Sequence, residues 1–495
     1  MPVGLIIPPS LILSDERFFT HIGVLRVAAV LREKKIEVDV LDLSGVANYP
    51  EAVCAYIAGK NKPWFIGITA TSPQMPATAR IAEIIRNFNP DIKLVLGGPH
   101  VTLVNAARRQ EVERNVLGRA DHDLQRLAQM FDCLVAGDGE KAIFEALNPN
   151  GPQLIDADDR RSPLFLTSEE LTALPFPARD LVAMESYHYR INGAPATSMI
   201  AQLGCPFQCG FCGGRESPFL RKVRVRTTES VIAEMRHIYQ TYGYRGIMFY
   251  DDELNVNPQM VALMRAIATL GKELGIEWAL RGFIKSELFT DEQAEAMYEA
   301  GFREILTGFE SGSPRILRNI KKGATREDNT RCVEIARRHG LRVKALMSVG
   351  HPGETEETIL ETKDWILAMR PESFDLTRIT VYPGTPYFDH AVPHLDGVWV
   401  YTVNGDHLYS RQVDYFKDFI YYKGDRGARM GLDSFFAFTD ELSAEDLARL
   451  CRETERELRE KLGQPYQTDV PELQFGHSMG QGLPDFILRS STAPT

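Results

Sequence analysis

The sequence predicts an α/β protein in which one parallel-stranded unit is followed by a second, and three observations carry that prediction. Over residues 1–150, short β-branched runs alternate five times with amphipathic stretches, the pattern of a parallel sheet covered by helices on both faces. Over residues 196–390 the alternation recurs six times, the pattern of a partial parallel (β/α)6 barrel. At the head of that second run, the segment Leu203 to Gly214 holds Cys205, Cys209 and Cys212 among four glycines.

The first unit opens with a strand over 3–7, which lacks preceding basic residues and meets Pro8-Pro9, so it reads as a strand and not as a leader segment. Helix 23–34, strand 38–41, helix 51–58, strand 65–69 and helix 77–88 follow. Strand 93–96, a helical stretch around 108–130, strand 134–136 and helix 141–147 complete the unit. In a doubly wound sheet the carboxyl ends of the strands line the ligand crevice. Here those ends carry Thr69-Ala70-Thr71-Ser72, Gly97-Gly98-Pro99-His100 and Gly137-Asp138-Gly139-Glu140. Any one of them also reads as a tight strand-to-helix turn, but together they suit a large ligand lying against backbone.

Residues 151–195 contain Asp156, Asp158, Asp159 and several prolines without a sustained period, which reads as an interdomain linker. In the second unit, strand 198–203 delivers the cysteine loop and is followed by helix 230–242. Strand 246–250 ends in Asp251-Asp252-Glu253, and helix 258–274 leads to strand 277–281 with Arg281. Thr290 and Gln293 make a capping box for a helix reaching Ala300. Strand 304–309 ends in Glu310-Ser311-Gly312. Helix 327–339, stopped by Gly340, leads to strand 342–349 and then to Gly350-His351-Pro352-Gly353-Glu354. A sixth strand near 377–382 ends at Pro383-Gly384-Thr385. Residues 391–495 form a C-terminal mixed segment. It has a tyrosine-rich stretch over 401–422, read as packing on the barrel mouth, a helix opened by Ser443 with Asp446, and a glycine- and serine-rich tail after Gln474, read as mobile.

The C-x3-C-x2-C loop lets three thiolates converge on one inorganic centre. Four would close a structural zinc site or saturate an ordinary cluster, whereas three on a four-iron cubane leave one iron open. The competing reading is zinc held with a distant histidine. The spacing, with Phe211 before the third cysteine, resembles the radical S-adenosylmethionine (SAM) superfamily. The first unit, with its Gly-Gly-x-His loop, its Gly-Asp-Gly-Glu turn and His21-Ile22-Gly23 opening a helix, resembles the cobalamin-binding members of that superfamily. The turn departs from the family pattern by carrying Asp138 for glutamate, and the span from His100 to Asp132 is longer than the norm.

The resemblance implies an N-terminal flavodoxin-like, cobalamin-binding domain over 1–150, the linker, a radical SAM domain over 196–390 and a C-terminal segment. It implies a [4Fe-4S] cluster on Cys205, Cys209 and Cys212, with SAM bound to the open iron. Phe211, Gly213, Asp251, Asp252, Glu253, Arg281, Glu310, Ser311 and Gly350 then stand at the positions that contact SAM. Thr69, Ser72, Gly97, Gly98, His100, Gly137 and Glu140 would hold cobalamin, with no histidine beneath cobalt. Reductive cleavage of SAM would release a 5′-deoxyadenosyl radical that abstracts hydrogen from a small-molecule substrate, followed by methyl transfer from cobalamin to an unactivated carbon. Dehydration, rearrangement or ring closure without methyl transfer is the alternative outcome, and a non-catalytic sensor of redox state or light is the alternative of another class. An external electron donor such as flavodoxin or ferredoxin is implied.

Composition sets outer bounds. At 44% hydrophobic and 25% charged, the chain is ordinary globular protein with room for several cores. A net charge of -11 and the lack of a basic stripe speak against a nucleic-acid partner. No apolar run reaches the ~18 residues of a membrane helix. Cys54, Cys133, Cys332 and Cys451 are scattered without a disulfide pattern, which fits a reducing, cytoplasmic setting.

Overall fold

The computed structural model describes residues 2–10, 16–59, 64–116, 118–417 and 437–464. The tail after Gln474 and the end of the tyrosine-rich stretch lie outside the described residues.

The first sheet forms from strands β1 (Val3–Ile7), β2 (Val38–Asp42), β3 (Phe65–Thr69), β4 (Lys93–Gly97), β5 (Cys133–Gly137) and β6 (Leu154–Ala157). They lie in the order β2-β1-β3-β4-β5-β6, and every pairing is parallel. Strand β1 is buried along its whole length, as a run of apolar residues sandwiched between helix layers must be. The order reverses between β1 and β3, the topological switch point of a doubly wound sheet. The sixth strand comes from the stretch in which the sequence showed nothing regular. The predicted helical stretch around 108–130 is two helices in contact with each other, Pro99–Glu113 and Arg119–Met130.

A short β7 (Arg190–Ile191) pairs antiparallel with β8 (Ala194–Met199), which starts four residues before the predicted strand. The cysteine loop follows β9 (Gln202–Leu203), which pairs with β10 (Arg224–Val225) on the loop's far side. The barrel continues with β11 (Gly246–Phe249), β12 (Ala279–Gly282), β13 (Glu304–Glu310), β14 (Arg342–Val349) and β15 (Ser373–Arg378). Strands β8, β11 and β12 pair in parallel, as do β13, β14 and β15. Isolated parallel bridges Leu280–Phe302 and Phe283–Leu306 join the two sets into one six-stranded partial barrel. Its helices are delimited by ordinary chemistry: Thr227, Thr290 and Thr355 cap starts, and left-handed Gly243, Gly275 and Gly301 cap ends. Beyond it, β16 (Val392–Leu395), β17 (Val398–Val403), β18 (Asp406–Arg411) and β19 (Ala437–Thr439) make an antiparallel sheet, followed by helix Ala444–Leu462.

Buried charge joins the two units. Asp138, in the turn after β5, pairs with Arg224 at 2.6 Å, and both side chains are 1% exposed. Glu234 accepts from Arg226 of its own unit at 2.6 Å and from Arg179 of the connecting segment at 2.8 Å, which ties that segment to the second unit. Asp158, just past β6, accepts from the Ser217 hydroxyl at 2.6 Å and the Phe219 amide at 2.7 Å, and also pairs with Arg109. Ser217 and Phe219 lie directly after the cysteine loop. The sixth strand of the first sheet therefore grips the flank of that loop.

Candidate functional site

The cysteine loop is tied down at both ends and in the middle. The Cys205 amide donates to the Leu220 carbonyl at 3.0 Å, Gly210 donates to Ile320 at 2.8 Å, and Gly214 donates to Gly384 at 2.7 Å. The Arg215 guanidinium lies beneath the loop and donates to the carbonyls of Cys205 at 2.8 Å and Phe207 at 3.1 Å. Burial pushes the thiols of Cys205 and Cys212 up, the latter to about 12, with Arg215 as the counterweight. Burial also opposes the charge on Arg215, but Cys212, Cys205 and Asp252 outweigh it and raise its pKa. Neutral thiols of this kind must lose their protons to bind iron, so the buried arginine is matched to thiolates bound to metal. Among the described residues, no three His, Cys, Asp or Glu side chains gather tightly enough for a single metal ion. A cubane makes no such demand, because each thiolate takes a different iron.

The acids after β11 divide into distinct roles. One oxygen of Asp251 accepts the amides of Ala201 at 2.8 Å and Gln202 at 3.2 Å, so it binds the strand end to the neighbouring turn. Asp252 is reached by solvent although protein surrounds it, as on a cavity wall, and it takes the Gly204 amide and faces Arg215. Burial lifts Glu253 to about 7 against Lys322 and Lys285, and its Oε2 has no partner among the described residues. Phe211 sets its ring edge-on to His351 at 5.3 Å, and the Gly213 amide donates to the Tyr382 hydroxyl at 3.2 Å. The Gly350 amide is taken by Glu354.

Two expected SAM contacts are engaged elsewhere. Arg281 lies inside the barrel but pairs with Glu304 at 2.5 Å and donates to the Tyr189 hydroxyl at 3.3 Å, so its charge is already answered. Ser311 is turned into the wall, bonded to Thr362 at 2.9 Å and to the Ser313 amide at 3.0 Å. The cation beside the acids is instead Lys322, 3.3 Å from Glu310. Burial opposes its charge, but Glu310, Cys209 and Glu253 more than offset that and raise its pKa. Lys285 sits 4.2 Å over the Phe207 ring, donates to the Lys322 carbonyl at 2.7 Å and is paired with Glu287 at 3.0 Å, so its charge is answered as that of Arg281 is. Sequence reasoning missed Arg215, Lys285 and Lys322, for no spacing or motif sets these single cations apart.

At the carboxyl ends of the first sheet, His100 is fully buried, with Nδ1 2.9 Å from the Ser72 hydroxyl and Nε2 without a partner among the described residues. Desolvation lowers its pKa to about 3, so it is neutral. Thr69 and Gly97 pair at the ends of β3 and β4. Gly98 and Gly137 have φ of +96° and +87°, and their missing side chains are required by the chain itself. A Cβ on Gly98 would meet the Thr69 hydroxyl and the Ala70 amide, and one on Gly137 would meet the Ala157 backbone. A bulky residue at 98 would therefore strain the fold as well as fill a crevice. Glu140 is buried near Arg26, so with Asp138 it faces the domain junction. The Tyr415 ring lies 5.5 Å from that of His100, bringing the C-terminal segment over the same strand ends. The buried hydroxyls of Ser10 and Thr20 also lack partners among the described residues. His100 Nε2, unsatisfied at these strand ends, fits a ligand rich in hydrogen-bonding groups, such as a corrin with its amide side chains.

Residues 199–366 match the Radical SAM superfamily and residues 11–128 match the B12 binding domain family. The chain thus carries a radical SAM domain and a B12 binding domain together. Its cofactors are accordingly a [4Fe-4S] cluster, SAM and cobalamin. It is 29% identical over 375 residues, 75% of this chain and 78% of the relative, to an uncharacterized methyltransferase of Pyrococcus horikoshii. It is 24% identical over 345 residues, 66% of this chain and 58% of the relative, to the anaerobic magnesium-protoporphyrin IX monomethyl ester cyclase of Rubrivivax gelatinosus. The radical SAM methyltransferase TsrM from Kitasatospora setae, solved with cobalamin and a [4Fe-4S] cluster, has the same fold. It aligns with a TM-score of 0.59 at 20% identity, covering 82% of each chain. No helix among the described residues is long and apolar enough to cross a membrane.

Proposed function

We propose that this enzyme transfers a methyl group from SAM, by way of cobalamin, to an unactivated carbon of a small molecule. The observation that carries the reading is the convergence of two carboxyl-terminal strand edges. The cysteine loop bonds to Gly384, Gly384 packs on Leu103 of the helix after β4, and Asp158 grips the loop's other flank. Ligands held at the two edges would thus share one interior space.

When bound, the cluster would supply the electron that splits SAM into methionine and a hydrogen-abstracting 5′-deoxyadenosyl radical, and cobalamin would carry the methyl group. Cys205, Cys209 and Cys212 would hold the cluster, and Arg215 balances their charge. Asp252, Glu253 and Glu310 offer acceptors to the SAM amino group and ribose, and Lys322 offers a cation to its carboxylate. Ser72 and His100 would orient the corrin. Methyl transfer is favoured by the methyltransferase relative, and ring closure without methyl transfer by the cyclase relative.

Anaerobically reconstituted protein is expected to hold about four irons per chain, to release 5′-deoxyadenosine with dithionite and SAM, and to retain hydroxocobalamin at about one equivalent. The Cys205→Ala, Cys209→Ala, Cys212→Ala triple variant should lose iron and SAM cleavage together. Cleavage without cobalamin retention would sink methyl transfer and leave the ring-closure reading standing. Loaded protein that makes no 5′-deoxyadenosine would sink both in favour of a sensor.

A further inference from the structure

Five buried side chains form one unbroken hydrogen-bonded chain behind the cysteine loop. Lys322 Nζ lies 3.3 Å from Glu310 Oε1, and the Ser348 hydroxyl donates to Glu310 Oε2 at 2.8 Å. Ser348 is also 2.8 Å from His351 Nε2, and His351 Nδ1 is 3.1 Å from the Tyr387 hydroxyl. The direction of each bond is forced. A carboxylate only accepts, so Ser348 spends its single proton on Glu310 and must accept from His351. His351 therefore carries its proton on Nε2, and Nδ1 takes the proton of Tyr387. Desolvation and Lys322 together lower the His351 pKa to about 3, in accord with a neutral ring.

Both ends of this chain return to one residue of the loop. The Tyr387 amide donates to the Gly210 carbonyl at 3.0 Å, while Gly210 donates to Ile320, two residues before Lys322. Glu310 is held in a left-handed conformation at φ +64°, next to a register shift between Gly308 and Glu310. Its carboxylate folds back over Gly308, where a Cβ would collide with it. A non-glycine residue persists in that region only when its surroundings fix it; the β14 pairing with Met347 holds its backbone, and among the described residues Lys322 and Ser348 hold its carboxylate.

We propose that His351 is a positioning residue: with its proton on Nε2 it locks Ser348 as a donor and so fixes the Glu310 carboxylate in register with the cluster loop. The function of that register is SAM binding, and this part rests on the reading of Glu310 as a SAM contact. The arrangement makes the place of the carboxylate depend on the place of Gly210, between Cys209 and Cys212. SAM held between the open iron and Glu310 would then meet both at a fixed spacing.

The test is a double-mutant cycle on the reconstituted full-length enzyme, reading iron per chain and the affinity for radiolabelled SAM by equilibrium dialysis. Ser348→Ala and His351→Phe should each keep the full iron content and weaken SAM binding about tenfold. The Ser348→Ala, His351→Phe double variant should weaken it by no more than either single variant, because both break one chain. His351→Gln, which keeps an N–H donor near the position of Nε2, should stay within about threefold of the unaltered enzyme. Additive losses, or wild-type affinity in Ser348→Ala, would overturn the proposal. Glu310→Gln addresses the underlying reading separately: wild-type SAM affinity there would remove Glu310 from the site, whatever the cycle returns.

Discussion

Asp251 shows how a residue in the right place can have the wrong task. Its sequence position at the end of a barrel strand suggested a SAM contact, yet two backbone amides occupy one of its oxygens and the other is buried without a partner among the described residues. Burial lifts its pKa to about 7, with the two amides pulling the other way. An acid whose folded pKa is raised holds its proton more tightly folded than unfolded. Its contribution is therefore fully present below the ordinary aspartate range and is lost as pH climbs toward 7. Asp251→Asn keeps an acceptor for both amides and has no charge to bury. The variant should match the native protein in urea unfolding near pH 4, exceed it near pH 8, and bind SAM normally. A variant that is less stable at pH 8 would mean the carboxylate is doing something the geometry does not show. Arg281 repeats the lesson, since its partner Glu304 lies 23 positions away and no spacing links them. Arg281→Met should cost about 3–5 kcal/mol of stability by leaving Glu304 uncompensated, with iron content unchanged. The cysteines were legible because three ligands in eight residues constitute a pattern; Arg215 and Lys322 were not, because a lone cation acquires meaning only when the fold delivers it to its acids.

Among the elements, β6 is the instructive case. Four residues flanked by acids and prolines show no period, and their pairing partner β5 is set by tertiary structure. Its trace in the sequence was indirect, for Gly137 lacks a side chain because the Ala157 backbone passes where one would be. Gly137→Ala should destabilise the protein by about 2–4 kcal/mol through the clash and the left-handed backbone together, measured by chemical unfolding. An unchanged midpoint would mean β6 can be displaced without loss. The long alternating stretches were read correctly because each buries a full helix face or both faces of a strand. The antiparallel sheet β16–β19 was not, because its strands are half-exposed and β16 is exposed along its length, so apolar periodicity is diluted. Boundaries shifted for the same reason: β8 begins at Ala194, where small residues give no hydrophobic signal.

At the level of the whole molecule, the two halves meet through ions that water does not reach. Removing one partner of such a pair leaves a bare charge, so Arg224→Met should lower unfolding stability by about 3–5 kcal/mol, and Arg224→Met with Asp138→Leu should recover most of it. Urea titrations of the three proteins would show it, and a double variant no better than the single one would argue that the guanidinium also matters through its stacking on Phe165 and Phe219. Asp158 bears on how the protein is made. Its hydrogen bond to Ser217 spans 59 residues of sequence. At ordinary rates of synthesis, about 5–20 residues per second, the ribosome extrudes the hook some 3 to 12 seconds before the flank it must catch. The first sheet has that interval in which to assemble before the flank of the cysteine loop arrives. A chain started after Asp158 would keep the loop's bonds to Leu220, Ile320 and Gly384 but leave the flank at Ser217 and Phe219 without its mooring.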